Sequence, residues 1–133
     1  KLADACLGEL PRSVAGGGDA VGLIDVIWFT SEGNPAAAFE VEHTTSIYSG
    51  IVRLLDLAQG SDLRDDVPLF LVAPDSREQE VREQLQRPAF RLSAGKLHLR
   101  YLPYGELDKN REAMARFGSG VKPLEAISKN LSA

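Results

Sequence analysis

Apolar residues recur along this chain with two different periods, and the switches between them mark out the elements. Lys1–Leu10 carries Leu2, Ala5, Cys6 and Leu10 at helical spacing. Pro11 and then Gly16-Gly17-Gly18 end that pattern and predict a flexible connection. No Lys-Ser/Thr follows the glycine run, so it reads as a loop and not as a phosphate cradle. Leu23–Phe29 (LIDVIWF) is rich in β-branched and aromatic residues and predicts a strand. Ser31 to Pro35 is a run of turn formers, and Ala36–Thr44 (AAAFEVEHT) predicts a second strand. Together they predict an antiparallel hairpin.

Thr45 or Ser46 is placed to cap a helix reaching about Gln59. Ile47, Ile51, Leu54, Leu55 and Ala58 form its apolar face, and Gly60 is placed to stop it. Val67–Ala73 (VPLFLVA) is an almost unbroken apolar run, the pattern of a strand covered on both faces. Pro74-Asp75-Ser76 opens a helix to about Gln86, with Asp75 or Ser76 as its cap. Leu97–Leu102 alternates as a strand, and one or two helices follow from about Asn110. The order is helix, hairpin, helix, strand, helix, strand, helix. It predicts an α/β fold: a three-layer sandwich with a central mixed β-sheet flanked by helices.

Length and composition narrow the class. A chain of 133 residues makes about one domain with a single core, and its apolar and charged fractions are ordinary for a globular protein. No apolar run approaches the ~20 residues that cross a bilayer, and no secretory leader is evident. Cys6 is the lone cysteine, so no internal disulfide can form and a reducing cytoplasm is the expected compartment. The chain opens at Lys1 without a methionine, which predicts a piece of a longer or processed protein with further domains. A net charge of −4 argues against nucleic-acid binding by bulk electrostatics alone. It leaves room for an enzyme acting on nucleic acid, because an acidic metal cluster itself lowers the charge.

Within the hairpin the polar residues fall in unexpected places. Asp25 interrupts Leu23-Ile24-Val26-Ile27, and Glu40 and Glu42 flank Val41. Strand side chains alternate, so Glu40 and Glu42 point the same way, ~7 Å apart. Phe39, Val41 and His43 then point into the core. Pairing across the turn can bring Asp25 beside the two glutamates. Three crowded carboxylates repel one another, and burial adds several kcal/mol unless something compensates. A divalent cation would do so, and hard oxygen ligands suit Mg²⁺ or Mn²⁺. No serine–histidine–aspartate or cysteine–histidine arrangement competes, so the residue types permit hydrolysis by metal-activated water. The plainer expectation is that alternating polar residues form the solvent face of a half-exposed strand.

Asp25, a turn, Glu40-Val41-Glu42 on the next strand, a helix and an apolar strand resemble the PD-(D/E)xK nuclease superfamily, which includes many restriction endonucleases. The order of elements from Lys1 to Ala73 matches that core, and the elements to Leu102 extend the match. The string FEVEHTTSIYSGIVRLLDL also resembles a group of restriction-endonuclease-like bacterial proteins. The resemblance implies a metal-dependent endonuclease acting on DNA, with Asp25 and Glu40 as metal ligands. Glu42 stands where most members have lysine, a departure some restriction enzymes share; there it would be a general base or a third ligand. Ile24 replaces the motif proline. A homodimer would supply the two sites needed to cut both strands.

Several nearby residues carry competing expectations. Arg53 is the cation that the following helix offers in place of the lysine; a surface pair with Asp56 or a helix-end contact is the plainer reading. Glu9 or Asp4 could add a carboxylate, although exposed helix charges are commoner. His43 is expected in the core, as is Cys6. Trp28 and Tyr101 are expected to pack in or near it. Tyr48 could reach a phosphate. Arg77, Arg82, Arg87, Arg91, Lys96 and Arg100 make the region after Asp75 the most basic, with Glu78, Glu80 and Glu83 interleaved as on a solvated helix face. Arg87 and Arg91 could form a phosphate-contacting edge. Alternatives to an active nuclease are a catalytically silent relative that binds nucleic acid or a protein partner, and a structural module whose acidic strand faces water.

Overall fold

A computed structural model describes residues 6–9, 11, 18–60, 63, 66–117 and 120–133. A short helix α1 (Gly18–Gly22) leads into the hairpin β1 (Val26–Phe29) and β2 (Pro35–Val41). Helix α2 (Ile47–Gly60) and strand β3 (Leu69–Ala73) follow. A 3₁₀ turn (Asp75–Arg77), α3 (Glu78–Leu85) and α4 (Pro88–Lys96) lead to β4 (Leu99–Pro103). The chain closes with α5 (Tyr104–Lys109), α6 (Arg111–Phe117) and α7 (Val121–Ile127).

The four strands lie in the order β1-β2-β3-β4. β1 runs antiparallel to β2, whereas β2, β3 and β4 are mutually parallel. The expected mixed sheet between helices is therefore the architecture. β3 is buried along its whole length, as its unbroken apolar run requires. Its alternate residues enter two cores. Leu69, Leu71 and Ala73 join Ala38, Ile51 and Leu54 on one face; Phe70 and Val72 join Phe39, Leu102 and Leu124 on the other. Trp28 and Phe39 pack with ring centroids 4.8 Å apart in the second core. Tyr101 is fully buried in the first, and its hydroxyl donates to Pro74 O at 2.9 Å.

Helix α2 is the element that frames the site. Ser46 caps it, accepting from the Ser49 N–H at 3.1 Å and satisfying an otherwise orphaned donor of the first turn. Ile47, Ile51, Leu54, Leu55 and Leu57 bury its inner face against the sheet. Each such side chain contributes about 1.5–3 kcal/mol of hydrophobic stabilisation.

Several expectations need correction. Cys6–Glu9 is not helical and Cys6 is exposed; the rest of the proposed first helix, with Asp4, lies outside the described residues. Gly18 belongs to α1 and not to a loop. Strand β2 ends at Val41, so Val41 is 42% exposed and His43 lies on the surface, stacked on Tyr104 at 5.7 Å. The helix from Pro74 is split by the 3₁₀ turn, and neither Asp75 nor Ser76 caps it. Asp75 instead accepts from Gly105 N at 2.7 Å, tying that turn to α5. Helix α4 was not foreseen, because only Phe90 and Ala94 of its nine residues are buried and no amphipathic stripe announces it. The C-terminal helices begin at Tyr104, before Asn110, since β4 ends at Pro103. Among the described residues, no helix is long and apolar enough to cross a membrane.

Candidate metal centre

The site is built at the end of the hairpin remote from its turn. Val26 pairs with Phe39, Ile27 with Ala38 and Trp28 with Ala37; Phe29 then pairs with Pro35, so Ala36 is an extra residue in β2. Continued past Val26, that register sets Asp25 opposite Glu40. Residues directly opposite in an antiparallel pair share a face. The Asp25 Oδ2 also accepts from the Val41 N–H at 2.8 Å, which holds its carboxylate beside β2. Glu42 follows the strand but keeps the ladder, its N–H donating to Val72 O at 2.8 Å.

Asp25, Glu40 and Glu42 each offer a carboxylate oxygen, and these atoms lie within 4.8 Å of one another. Glu40 is 0% and Glu42 1% exposed, so the solvent-face reading of the alternation is overturned. Both point toward α2, on the face shared with Ala38 and Leu71. Gly50 makes room for them: a Cβ there would stand 2.8 Å from Glu42 Oε1 and 3.0 Å from Leu71 Cδ1. A glycine inside a helix costs about 1 kcal/mol relative to alanine, and this close approach is its reason.

Arg53, one turn further along α2, reaches both glutamates. Its Nε donates to Glu40 Oε1 at 2.9 Å and its Nη2 to Glu42 Oε1 at 2.7 Å. The pair with Asp56 is thereby replaced by contacts with the acidic pair. The Thr45 hydroxyl donates to Glu42 Oε2, so this threonine serves the site and Ser46 serves the helix. Glu40 Oε2 is buried and has no hydrogen-bond partner among the described residues. Burial is the main force on Glu40 and pushes its pKa up to about 8; Arg53 opposes the rise, and the neighbouring Asp25 carboxyl adds to it.

Arg77 is a residue that sequence reasoning left on a solvated face. Its Nη1 donates to the carbonyls of Glu42, His43 and Thr45 at 3.1, 3.2 and 2.7 Å, and its other nitrogens pair with Glu80. It therefore clamps the link between β2 and α2, and no local spacing pointed to this. Arg82 does follow the solvated pattern, pairing with Glu78 at 3.7 Å. Glu9 lines the same cleft of about 830 Å³ as Asp25, exposed, outside the group of three carboxylates. A buried carboxylate oxygen without a donor, beside two further hard oxygen ligands, fits a divalent cation.

The family model for the C-terminal domain of the type II restriction enzyme NmeDI matches residues 9–127. The chain belongs to that family. All three carboxylates, Arg53 and Arg77 fall inside the matched span. The chain is 30% identical over 101 residues to the type II restriction enzyme NmeDI of Neisseria meningitidis serogroup C. That alignment covers 76% of this chain and 28% of the relative, so the chain spans little more than a quarter of the relative's length. The sequence is thus a restriction-enzyme-like domain. No solved structure gives a significant match.

Proposed function

We propose that this domain is a metal-dependent endonuclease of the PD-(D/E)xK type that hydrolyses DNA phosphodiester bonds. The observation that carries the reading is the convergence of Asp25, Glu40 and Glu42, with Glu40 Oε2 buried and without a partner among the described residues. Asp25 and Glu40 take the places of the two motif carboxylates, and Glu42 that of the motif lysine. Mg²⁺ or Mn²⁺ would be held by these three residues. The chemistry such an ion supplies is polarisation of a phosphodiester and acidification of water.

The chain's own residues set up that chemistry. Asp25 is fixed by the Val41 amide, and Glu40 and Glu42 by the guanidinium of Arg53. Arg53 keeps a positive charge among the carboxylates where lysine is missing. Glu42, also held by Thr45, is placed to accept a proton or to serve as a third ligand. DNA as substrate, a homodimer for double-strand cleavage and a cytoplasmic setting accompany this reading. So do further domains, since the relative is much longer.

A second reading is favoured by one observation. Arg53 already pairs with both glutamates, and such compensation would let a silent nuclease fold keep its carboxylates while binding nucleic acid or a protein. Thermal melting with and without Mn²⁺, alongside cleavage of plasmid and linear DNA, separates the two. The nuclease reading expects Mn²⁺ to raise Tm, cleavage to require it, and Glu40→Ala to abolish both effects. DNA binding without cleavage under every metal condition would establish the silent reading.

A further inference from the structure

The chain is acidic as a whole, yet Gln84–Gly105 contains four Lys/Arg residues and no Asp or Glu. Arg100 is used inside the fold, donating to Ser128. Lys96 sits in the last turn of α4, where a cation complements the carbonyl end of a helix. Arg87 and Arg91 remain. They lie one helical turn apart at the start of α4, and both are exposed. Neither forms an ion pair among the described residues.

The carboxylates nearest in sequence are engaged elsewhere. Glu78 pairs with Arg82 and Lys129, Glu80 with Arg77, and Glu83 accepts from Gln79. Arg87 makes one long contact to Gln84, 3.5 Å, and its guanidinium lies 5.4 Å from the centroid of the Tyr48 ring. Tyr48 is 47% exposed and is backed by the buried Phe90 at 5.3 Å. Packing a guanidinium on a supported ring orders a charge that would otherwise sweep through solvent. Its position matters as much as its order. Tyr48 lies in the first turn of α2, two residues before Gly50, which packs on Glu42, so the ring and the carboxylates take opposite flanks of the same helix end.

We propose that Tyr48, Arg87 and Arg91 form a platform that grips the phosphate backbone of a DNA duplex lying across the end of α2 from the acidic centre. The inference rests on the DNA reading above and adds where the substrate lies. A cluster of carboxylates repels a polyanion, so a nearby site of opposite sign must offset that repulsion. Guanidinium groups match phosphate oxygens in pairs, and exposed arginines free of carboxylates release no partner when they bind.

The test is fluorescence anisotropy of a labelled duplex with the 133-residue chain in EDTA, from about 50 to about 200 mM salt. The double variant Arg87→Ala/Arg91→Ala should flatten the slope of log K against log salt by about 2, and Arg87→Lys/Arg91→Lys should preserve it. Both variants should keep the Mn²⁺-induced rise in Tm, which reports the carboxylates. An unchanged slope in the alanine variant, or no duplex binding by the unaltered chain, overturns the proposal. So does poly-glutamate binding with the same arginine dependence in place of the duplex. Failure of the metal reading is seen separately, as a Tm indifferent to Mn²⁺ while the arginine-dependent slope persists.

Discussion

Arg53 donates its Nε to Glu40 Oε1 at 2.9 Å, joining the middle of α2 to a carboxylate that solvent does not reach. A second nitrogen of the same guanidinium holds Glu42, so one planar fork fixes the direction of both side chains. The remaining oxygen of Glu40 has no donor among the described residues. Charge compensation and the orientation of both carboxylates thus come from one residue's geometry.

Removing that fork has a defined cost. Arg53→Met should destabilise the metal-free protein by about 2 kcal/mol in urea denaturation at pH 8.5. That is less than the 3–5 kcal/mol of a fully buried pair, because Arg53 is itself 30% exposed. Saturating Mn²⁺ should recover part of the loss. A variant as stable as the parent, with or without Mn²⁺, would show that the carboxylates need no counter-charge.

The pH dependence follows from Glu40. Its pKa is raised in the folded chain to about 8, so the folded state binds a proton more tightly than the unfolded one. The associated stability is complete below about 4.5, the ordinary value, and is lost as pH rises through about 8. Chemical denaturation of metal-free protein between those limits should show falling stability, and Glu40→Gln should flatten the curve. Mn²⁺ should bind more tightly as pH rises over the same window, releasing up to one proton per ion in calorimetry across buffers. Metal-free stability that climbs with pH would contradict the assignment.

Gly50 offers a steric test. Alanine improves helix propensity by about 1 kcal/mol, but here its methyl would press on Glu42 and Leu71 at 2.8 and 3.0 Å. Glu42 is pinned by Arg53 and Thr45 and cannot simply swing aside. Gly50→Ala is expected to lower stability by about 1–2 kcal/mol and to shrink the Mn²⁺-induced rise in Tm by at least half. Paired melting curves of parent and variant measure both effects. A more stable variant with a full metal response would mean that Glu42 has freedom to move.

Much of the frame was legible in the order of residues. The apolar run ending at Ala73 has the pattern of a strand covered on both faces, and it is the fully buried β3. The stripe Ile47, Ile51, Leu54 and Leu55 specified α2. Short elements resisted, because α4 buries two side chains and its remaining residues have no pattern to obey. Sequence alone leaves Arg77 on a solvated face and Arg53 between a surface pair and the site, for a related reason. Their partners lie on β2 and the link after it, 11 to 35 residues away, and no local spacing encodes contacts of that range.

What the sequence determined by itself is that Glu40 and Glu42 share a side, since alternation along an extended backbone is a local property. Whether Asp25 joins them was decided by the fold. The bulge at Ala36 shifts the pairing by one between Trp28 and Phe29; had Ala36 paired with Trp28 in an unbroken ladder, Asp25 would stand opposite Phe39 and face the other core. A one-step slip inverts every side chain of a strand. Strand pairing and the packing of α2 therefore settled the meeting of the carboxylates, their burial and their neutralisation by Arg53.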